Sequence, residues 1–191
     1  MLKIALFGLG NAAKGFLELL VHKQHEGRWP NPIAITAIAT GTRGLWQGDI
    51  EPKALLDHLK MGKPLFSLEG IEPFNDSSIQ LATTADYHVL IELTPLNIHS
   101  GQPAIHHIEC ALSRGLGAIT ANKGPLAFDF HRLNQLSIKN NAPFLYETTV
   151  MDGTPIFNLV ADTLPHCKVL SIEGILNSTT NFILEEMAKG H

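Results

Sequence analysis

The sequence predicts an α/β fold: a doubly wound, mostly parallel sheet followed by the beginning of a second, α+β domain. Three observations point there. Short, nearly continuous apolar runs recur, as strands buried on both faces require. Segments with apolar residues at helical spacing alternate with them. A glycine-rich turn joins the first run to the first helical segment.

Leu2-Lys3-Ile4-Ala5-Leu6-Phe7 is short, almost wholly apolar and ends at Gly8, which makes it the first strand. Ala13, Phe16, Leu17, Leu20 and Val21 fall at i, i+3, i+4, i+7 and i+8, giving the first helix one apolar face. Glu26 to Pro32 breaks that helix, and Ile33 to Ala39 is the second strand. Between Thr40 and Thr84 the pattern weakens. A helix from about Pro52 to Met61 has proline in its first turn, and Gly62 to Ser78 reads as loop with room for one short strand. Order returns with the strand Val89 to Leu93 and a helix carrying Ile105, Ile108 and Leu112 on one face. Gly115 and Gly117 end it before the strand Ala118 to Ala121. Leu126, Phe130 and Leu133 mark one side of a further helix, and Pro143 to Tyr146 is again a strand.

After Val150 the pattern changes to a helix near Ile156 to Thr163, an apolar strand from Val169 to Leu176 and a helix from about Ser178 to Lys189. The boundary between the two domains falls at residues 148–152. Roughly 40 residues beyond it are too few for an independent core, so the second domain reads as cut short.

Composition narrows the function classes. Hydrophobic residues make up 45% of the 191 residues and charged residues 17%, enough apolar surface to build a core. The net charge of −4 and the lack of any Lys/Arg run argue against a nucleic-acid partner. No apolar stretch has the length of a membrane span, and the first strand is too short for a signal peptide. Cys110 and Cys167 make no disulfide framework and fit a reducing compartment, so a cytoplasmic protein is expected.

Gly8-Leu9-Gly10-Asn11-Ala12-Ala13 fits G-x-G-x-x-G/A between a strand and a helix, the Rossmann-type dinucleotide pattern. Gly8 permits the tight turn and Gly10 lets a pyrophosphate approach the backbone. Ala13 allows close helix–strand packing, while the helix N-terminus offers free N–H groups. The competing reading is a glycine-rich turn without a ligand. NAD enzymes carry an acidic residue after the second strand to grip the ribose hydroxyls. Here the strand runs into Ala39-Thr40-Gly41-Thr42-Arg43-Gly44, and Arg43 suits a 2′-phosphate. NADP is favoured, with NAD left open.

Glu92-Leu93-Thr94-Pro95 and Thr120-Ala121-Asn122-Lys123-Gly124-Pro125-Leu126-Ala127 close two later strands at the carboxyl edge of the sheet. Glu147-Thr148-Thr149-Val150-Met151-Asp152-Gly153-Thr154-Pro155 follows, then Gly174-Ile175-Leu176-Asn177-Ser178-Thr179-Thr180-Asn181-Phe182-Ile183-Leu184. In this order they resemble homoserine dehydrogenase across essentially the whole chain. The resemblance implies NAD(P)-dependent interconversion of L-homoserine and L-aspartate 4-semialdehyde, in threonine and methionine biosynthesis. It implies that residues 1–148 bind the dinucleotide and that 149–191 begin a substrate and dimerisation domain, in a homodimer. It places Thr94 and Pro95 beside the nicotinamide ring, and Lys123 against cofactor or substrate as the catalytic residue. A lysine there needs desolvation or a neighbouring cation to act as a base; as a cation it polarises the carbonyl oxygen. Glu147, Val150, Asp152 and Thr154 match positions that hold a monovalent cation such as sodium, largely through carbonyls, with an ordinary domain-linking turn as the competitor.

The chain departs from the family pattern at Ala13, at Thr40-Gly41, where many members carry an acid, and at Asp152, where a small residue is usual. The family's substrate-binding acids and second catalytic lysine lie beyond the position matching His191. A non-catalytic NADP-binding module is therefore the second hypothesis. The ten histidines suggest no metal: His22 and His25, and His106 and His107, lack a completing Cys or carboxylate and read as solvated helix residues. Neither cysteine has the surroundings of an activated thiol, which argues against thioester chemistry.

Overall fold

The computed structural model describes residues 1–29, 31–175 and 177–190. Its centre is a seven-stranded sheet of β1 (Leu2–Phe7), β2 (Ile33–Ala39), β3 (Leu45–Ile50), β4 (Ile71–Pro73), β5 (Val89–Glu92), β6 (Gly117–Thr120) and β7 (Phe144–Leu145). Across the sheet the order is β4-β3-β2-β1-β5-β6-β7. The five strands from β2 to β7 are parallel, while β3 and β4 extend one side as antiparallel strands. Seven helices accompany it among the described residues: α1 (Asn11–His25), α2 (Pro52–Lys60), α3 (Ser78–Thr84), α4 (Ala104–Ser113), α5 (Lys123–Asn140), α6 (Ile156–Thr163) and α7 (Ser178–Ala188).

Strand alternation explains the double winding. Ile4 and Leu6 of β1 pack with Leu17 of α1 and with Leu55 and Leu59 of α2. Ala5 and Phe7 point the other way, toward Leu81 of α3, Ile108 and Leu112 of α4 and Leu133 of α5. That second face is lined by Ala5, Ala37, Ala39 and Ala118, so small strand residues accept large helix residues. In β2 the register shifts around Thr36, which puts Ile38 on the same side as Ile33 and Ile35. The Thr36 hydroxyl uses the irregularity to donate to the Asp86 carbonyl at 2.7 Å. Each large side chain buried here contributes about 1.5–3 kcal/mol, and Leu17, Leu55, Leu90 and Ile108 are wholly buried.

Three expectations change. The weak stretch from Thr40 to Thr84 holds more order than its pattern indicated, in β3 and α3, while β4 is the short strand for which Gly62 to Ser78 left room. The strand expected at Val169 to Leu176 does not form over Val169–Ile175, and Leu176 lies outside the described residues. Its composition favours a strand, but no neighbour among the described residues offers it a ladder, and Leu170 and Ile172 are exposed. Finally, His107 is buried rather than solvated, because it falls on the inward stripe Ala104, His107, Ile108, Ala111 of α4. His22, His25 and His106 are exposed as expected.

Candidate active site

The carboxyl ends of β1, β2, β5 and β6 meet at one edge of the sheet, and their loops form the site. Gly8 leaves β1 with φ +97°, and a Cβ on it would lie 2.4 Å from the Leu93 carbonyl oxygen. Only glycine fits this turn and the close approach to the β5 loop. Gly10 differs: a Cβ there meets nothing within 4 Å. It stands as N-cap of α1 with no side-chain cap and no acidic residue in the first turn. The exposed helix N-terminus thus presents unsatisfied N–H groups to an open space, which suits an anion. Ala13 is fully buried beneath the helix, Leu9 is buried, and Asn11 and Ala12 are exposed in its first turn.

A cleft of about 280 Å³ gathers Gly8–Gly10, Thr40–Arg43 and Leu93–Pro95. The β2 loop is held by its own hydrogen bonds: Thr40 N–H donates to the Gly44 carbonyl at 3.1 Å, and Arg43 N–H donates to the Thr40 hydroxyl at 2.7 Å. Trp46 Nε1 donates to the Arg43 carbonyl at 2.6 Å. The backbone of Arg43 is therefore fixed while its guanidinium, exposed at the cleft, makes no ion pair among the described residues. An adjoining apolar cleft of about 400 Å³ extends from Thr40 and Gly41 past Leu45 and Pro95 to Pro103 and His107.

Lys123 opens α5 at the end of β6, exposed and without an ion pair among the described residues. It lines a small cavity of about 180 Å³ with Ala12, Leu93 and Thr94, which brings it to the glycine turn. On its other side is an apolar cavity of about 520 Å³ walled by Phe130, Tyr146, Val150 and Phe157. Burial, and then the Glu147 carboxylate, push the Tyr146 phenol above its usual range.

Asn122 ties these loops together. Its Oδ1 caps α5 by accepting from Gly124 N–H at 2.9 Å, and its Nδ2 donates to the Thr94 carbonyl at 3.0 Å. It sits within the motif quoted above, but the sequence assigned it no role. Glu92 and His107 were missed likewise. Glu92 is fully buried and accepts from both the N–H and the hydroxyl of Thr94. The signal for His107 was its place in an apolar helical stripe.

The cation residues lie apart from the cleft. Both Glu147 oxygens accept backbone N–H groups that open α6, from Phe157 at 2.8 Å and Asn158 at 3.0 Å. Met151 and Asp152 have φ of 57° and 50°, and Thr154 N–H donates to the Met151 carbonyl, which makes Val150 to Thr154 a tight turn. No group of three His, Cys, Asp or Glu suited to a metal occurs among the described residues. A further concavity of about 580 Å³ around the Lys3–Asp86 ion pair lies at the opposite edge and contains none of the expected site residues.

Comparison with known proteins agrees with this geometry. Residues 155–191 match the family model described as homoserine dehydrogenase. The homoserine dehydrogenase of Sulfurisphaera tokodaii is 35% identical over 99% of this chain and 55% of its own length. The NAD(+)-dependent homoserine dehydrogenase of Pseudomonas canavaninivorans is 30% identical over 98% of this chain and 54% of its own. A hyperthermophilic archaeal homoserine dehydrogenase in complex with NADPH superposes with a TM-score of 0.80, 26% identity, and coverage of 100% of this chain and 57% of that one. The chain spans about half the length of the curated relatives it matches. The chain is similar to homoserine dehydrogenases over nearly its whole length.

Proposed function

We propose that the chain is the cofactor-binding part of an NADP-dependent homoserine dehydrogenase interconverting L-homoserine and L-aspartate 4-semialdehyde. One observation carries this: the glycine turn, the Arg43 loop and the Thr94–Pro95 loop line a single cleft, with Lys123 on the adjoining cavity. The uncapped N-terminus of α1 takes the pyrophosphate, with Gly8 to Ala13 as its cradle. Arg43 takes the 2′-phosphate, and the apolar cleft beside Thr40, Gly41 and Leu45 takes the adenine face. Thr94 and Pro95 border the nicotinamide.

When bound, the cofactor supplies a hydride to the aldehyde carbon. Lys123 polarises the carbonyl oxygen and holds or delivers the proton that the developing alkoxide needs. The cleft walls orient the reactants so that little freedom is lost at the moment of reaction.

Cofactor choice rests on Arg43 and the missing acid after β2, since the named relatives include both an NAD(+)-dependent enzyme and an NADPH complex. Residues 1–148 form the dinucleotide domain of a cytoplasmic homodimer, and residues 149–191 begin the substrate and dimerisation domain. Among the described residues no helix is long and apolar enough to cross a membrane. A monovalent cation at Glu147, Val150, Asp152 and Thr154 would rest mainly on backbone carbonyls, since each Glu147 oxygen already accepts one N–H from the start of α6.

The competing reading is a module that binds NADP without turning over substrate. Titration of the chain with NADPH, followed by NADPH oxidation with aspartate semialdehyde, separates the two. Binding with turnover supports the enzyme, binding without turnover supports the module, and no binding rejects both.

A further inference from the structure

Glu92 ends β5 in the middle of the sheet and is 0% exposed; His107 of α4 is 1% exposed. The Glu92 Oε1 accepts from Thr94 N–H at 3.2 Å and from the Thr94 hydroxyl. His107 Nε2 lies 2.8 Å from the Ser78 hydroxyl, and its ring meets Phe7 edge-on with centroids 4.7 Å apart. Two buried side-chain atoms have no hydrogen-bond partner among the described residues, Glu92 Oε2 and His107 Nδ1. They belong to side chains that face one another, with Nδ1 3.7 Å from Oε1. One is an acceptor and the other a donor in the tautomer that leaves Nε2 to accept from Ser78.

Ser78, His107, Glu92 and Thr94 thus follow one another through the interior, from the apolar cleft to the rim of the glycine-loop cleft, with the 3.7 Å approach of Nδ1 to Oε1 as the one step longer than a hydrogen bond. Apolar side chains of similar volume fill a sheet centre at least as well as a buried carboxyl group beside an imidazole. The carboxylate gains nothing for packing, so its effect falls on what it holds. What it holds is Thr94, through both backbone and side chain.

We propose that Glu92 and His107 are a positioning pair for the cofactor site: the His107 N–H fixes the Glu92 carboxylate, and the carboxylate fixes the Thr94–Pro95 rim. The inference rests on reading that cleft as the cofactor site. Neither residue touches the cofactor's reacting atoms. Asn122 secures the same rim from the carbonyl side, through Thr94 O, so the pair and Asn122 grip opposite ends of one peptide segment.

The test uses the chain itself and three variants, Glu92→Gln, His107→Phe and His107→Asn. Phe keeps the ring on Phe7 but has no donor, whereas Asn keeps a donor at the ring's near side. NADPH is titrated by fluorescence, and the Thr94 amide is followed by NMR without cofactor. A carboxylate-bound amide resonates downfield, so Glu92→Gln should move it upfield, a signature that lost packing alone does not give. Glu92→Gln and His107→Phe should each weaken NADPH binding about tenfold or more, with His107→Asn restored toward the native value. If Glu92→Gln fails to fold, Ser78→Ala, at the outer end of the series, should still weaken binding by about threefold. Native affinity in Glu92→Gln or His107→Phe overturns the proposal, as does equal loss in the Asn and Phe variants. If the native chain binds no NADPH, the cofactor reading fails, and the Thr94 amide still decides the pair: an unmoved resonance overturns it.

Discussion

The two glycines of the first turn should fail in opposite ways when each becomes alanine. At Gly10 the backbone has φ −83°, open to any L-residue, and a new methyl meets nothing within 4 Å. Its cost to folding is that of a poorer N-cap, about 1 kcal/mol at most, or roughly 2–4 °C in melting temperature. The methyl does, however, fill the space through which an anion must reach the α1 N-terminus. Losing one or two charge-assisted hydrogen bonds there costs about 1.5–3 kcal/mol, which lowers NADPH affinity about 10- to 150-fold. Gly8→Ala instead meets the Leu93 carbonyl at 2.4 Å with φ at +97°. Backbone strain of about 1–3 kcal/mol and an overpacking cost of similar size add to about 2–6 kcal/mol. Melting should fall by about 5–20 °C. Thermal unfolding by circular dichroism and NADPH titration, on both variants, read the two effects separately. Gly10→Ala with native NADPH affinity would refute the reasoning and return the motif to an ordinary turn.

Arg43→Ala should narrow the gap between NADPH and NADH affinities with an unchanged melting temperature; equal binding of both by the native chain would remove Arg43 from the 2′-phosphate role. In any form of the enzyme that turns over, Lys123→Ala should lower kcat about 100-fold or more while folding normally, because the side chain is exposed; near-native turnover makes it a surface lysine. Burial pushes the Tyr87 phenol up to about 12, against the opposing pull of Arg114. The folded state therefore keeps this proton after the unfolded chain has lost it, and stability falls as pH rises from about 10 through about 12, by roughly 2–3 kcal/mol in all. Urea midpoints across that window should show the fall, and Tyr87→Phe should flatten it. The chain should also self-associate through residues after 150, where Leu170 is 84% and Ile172 78% exposed, and lysine at both positions should shift sedimentation toward monomer.

The first half of the sheet was legible because its signals are local. An apolar run, a glycine that alone fits its turn and a helical stripe lie side by side in Leu2 to Val21, and the structure repeats them as β1 and α1. The stretch after Thr40 was hard to read for physical reasons. β3 alternates half-buried and exposed positions through Gln47, Gly48 and Asp49, and β4 spans three residues. α3 has seven residues, too few to display a period. Val169 to Ile175 misled in the other direction, since side-chain preference for a strand counts for little without a partner strand. Within the candidate site, the glycine pattern marked Gly8 and Gly10 and the family resemblance marked Thr94 and Lys123, all of which the structure places at one edge of the sheet. Glu92 meets His107, and Asn122 meets Thr94, across elements far apart in the chain, which no local pattern encodes.

The rim of the cofactor cleft is built backbone against backbone. Gly8 touches the Leu93 peptide, and a Cβ on Gly124 would come within 2.8 Å of Gly101 Cα. Asn122 crosses from one loop to the other by hydrogen bonds, and Glu92 anchors Thr94 from below. Such contacts leave little room for a loop to shift, so the cleft is shaped before any ligand arrives, and binding has little ordering to offset. The segment after Val150 is built differently. No residue of α6 or α7 is buried, and Phe182, Leu184 and Met187 stand exposed on α7. Its apolar surface gains stability only by being covered. Cofactor affinity should therefore belong to residues 1–148 and survive changes to α6 and α7. Turnover should depend on whatever covers those helices and completes the wall beside Lys123, so affinity and turnover should respond to different substitutions.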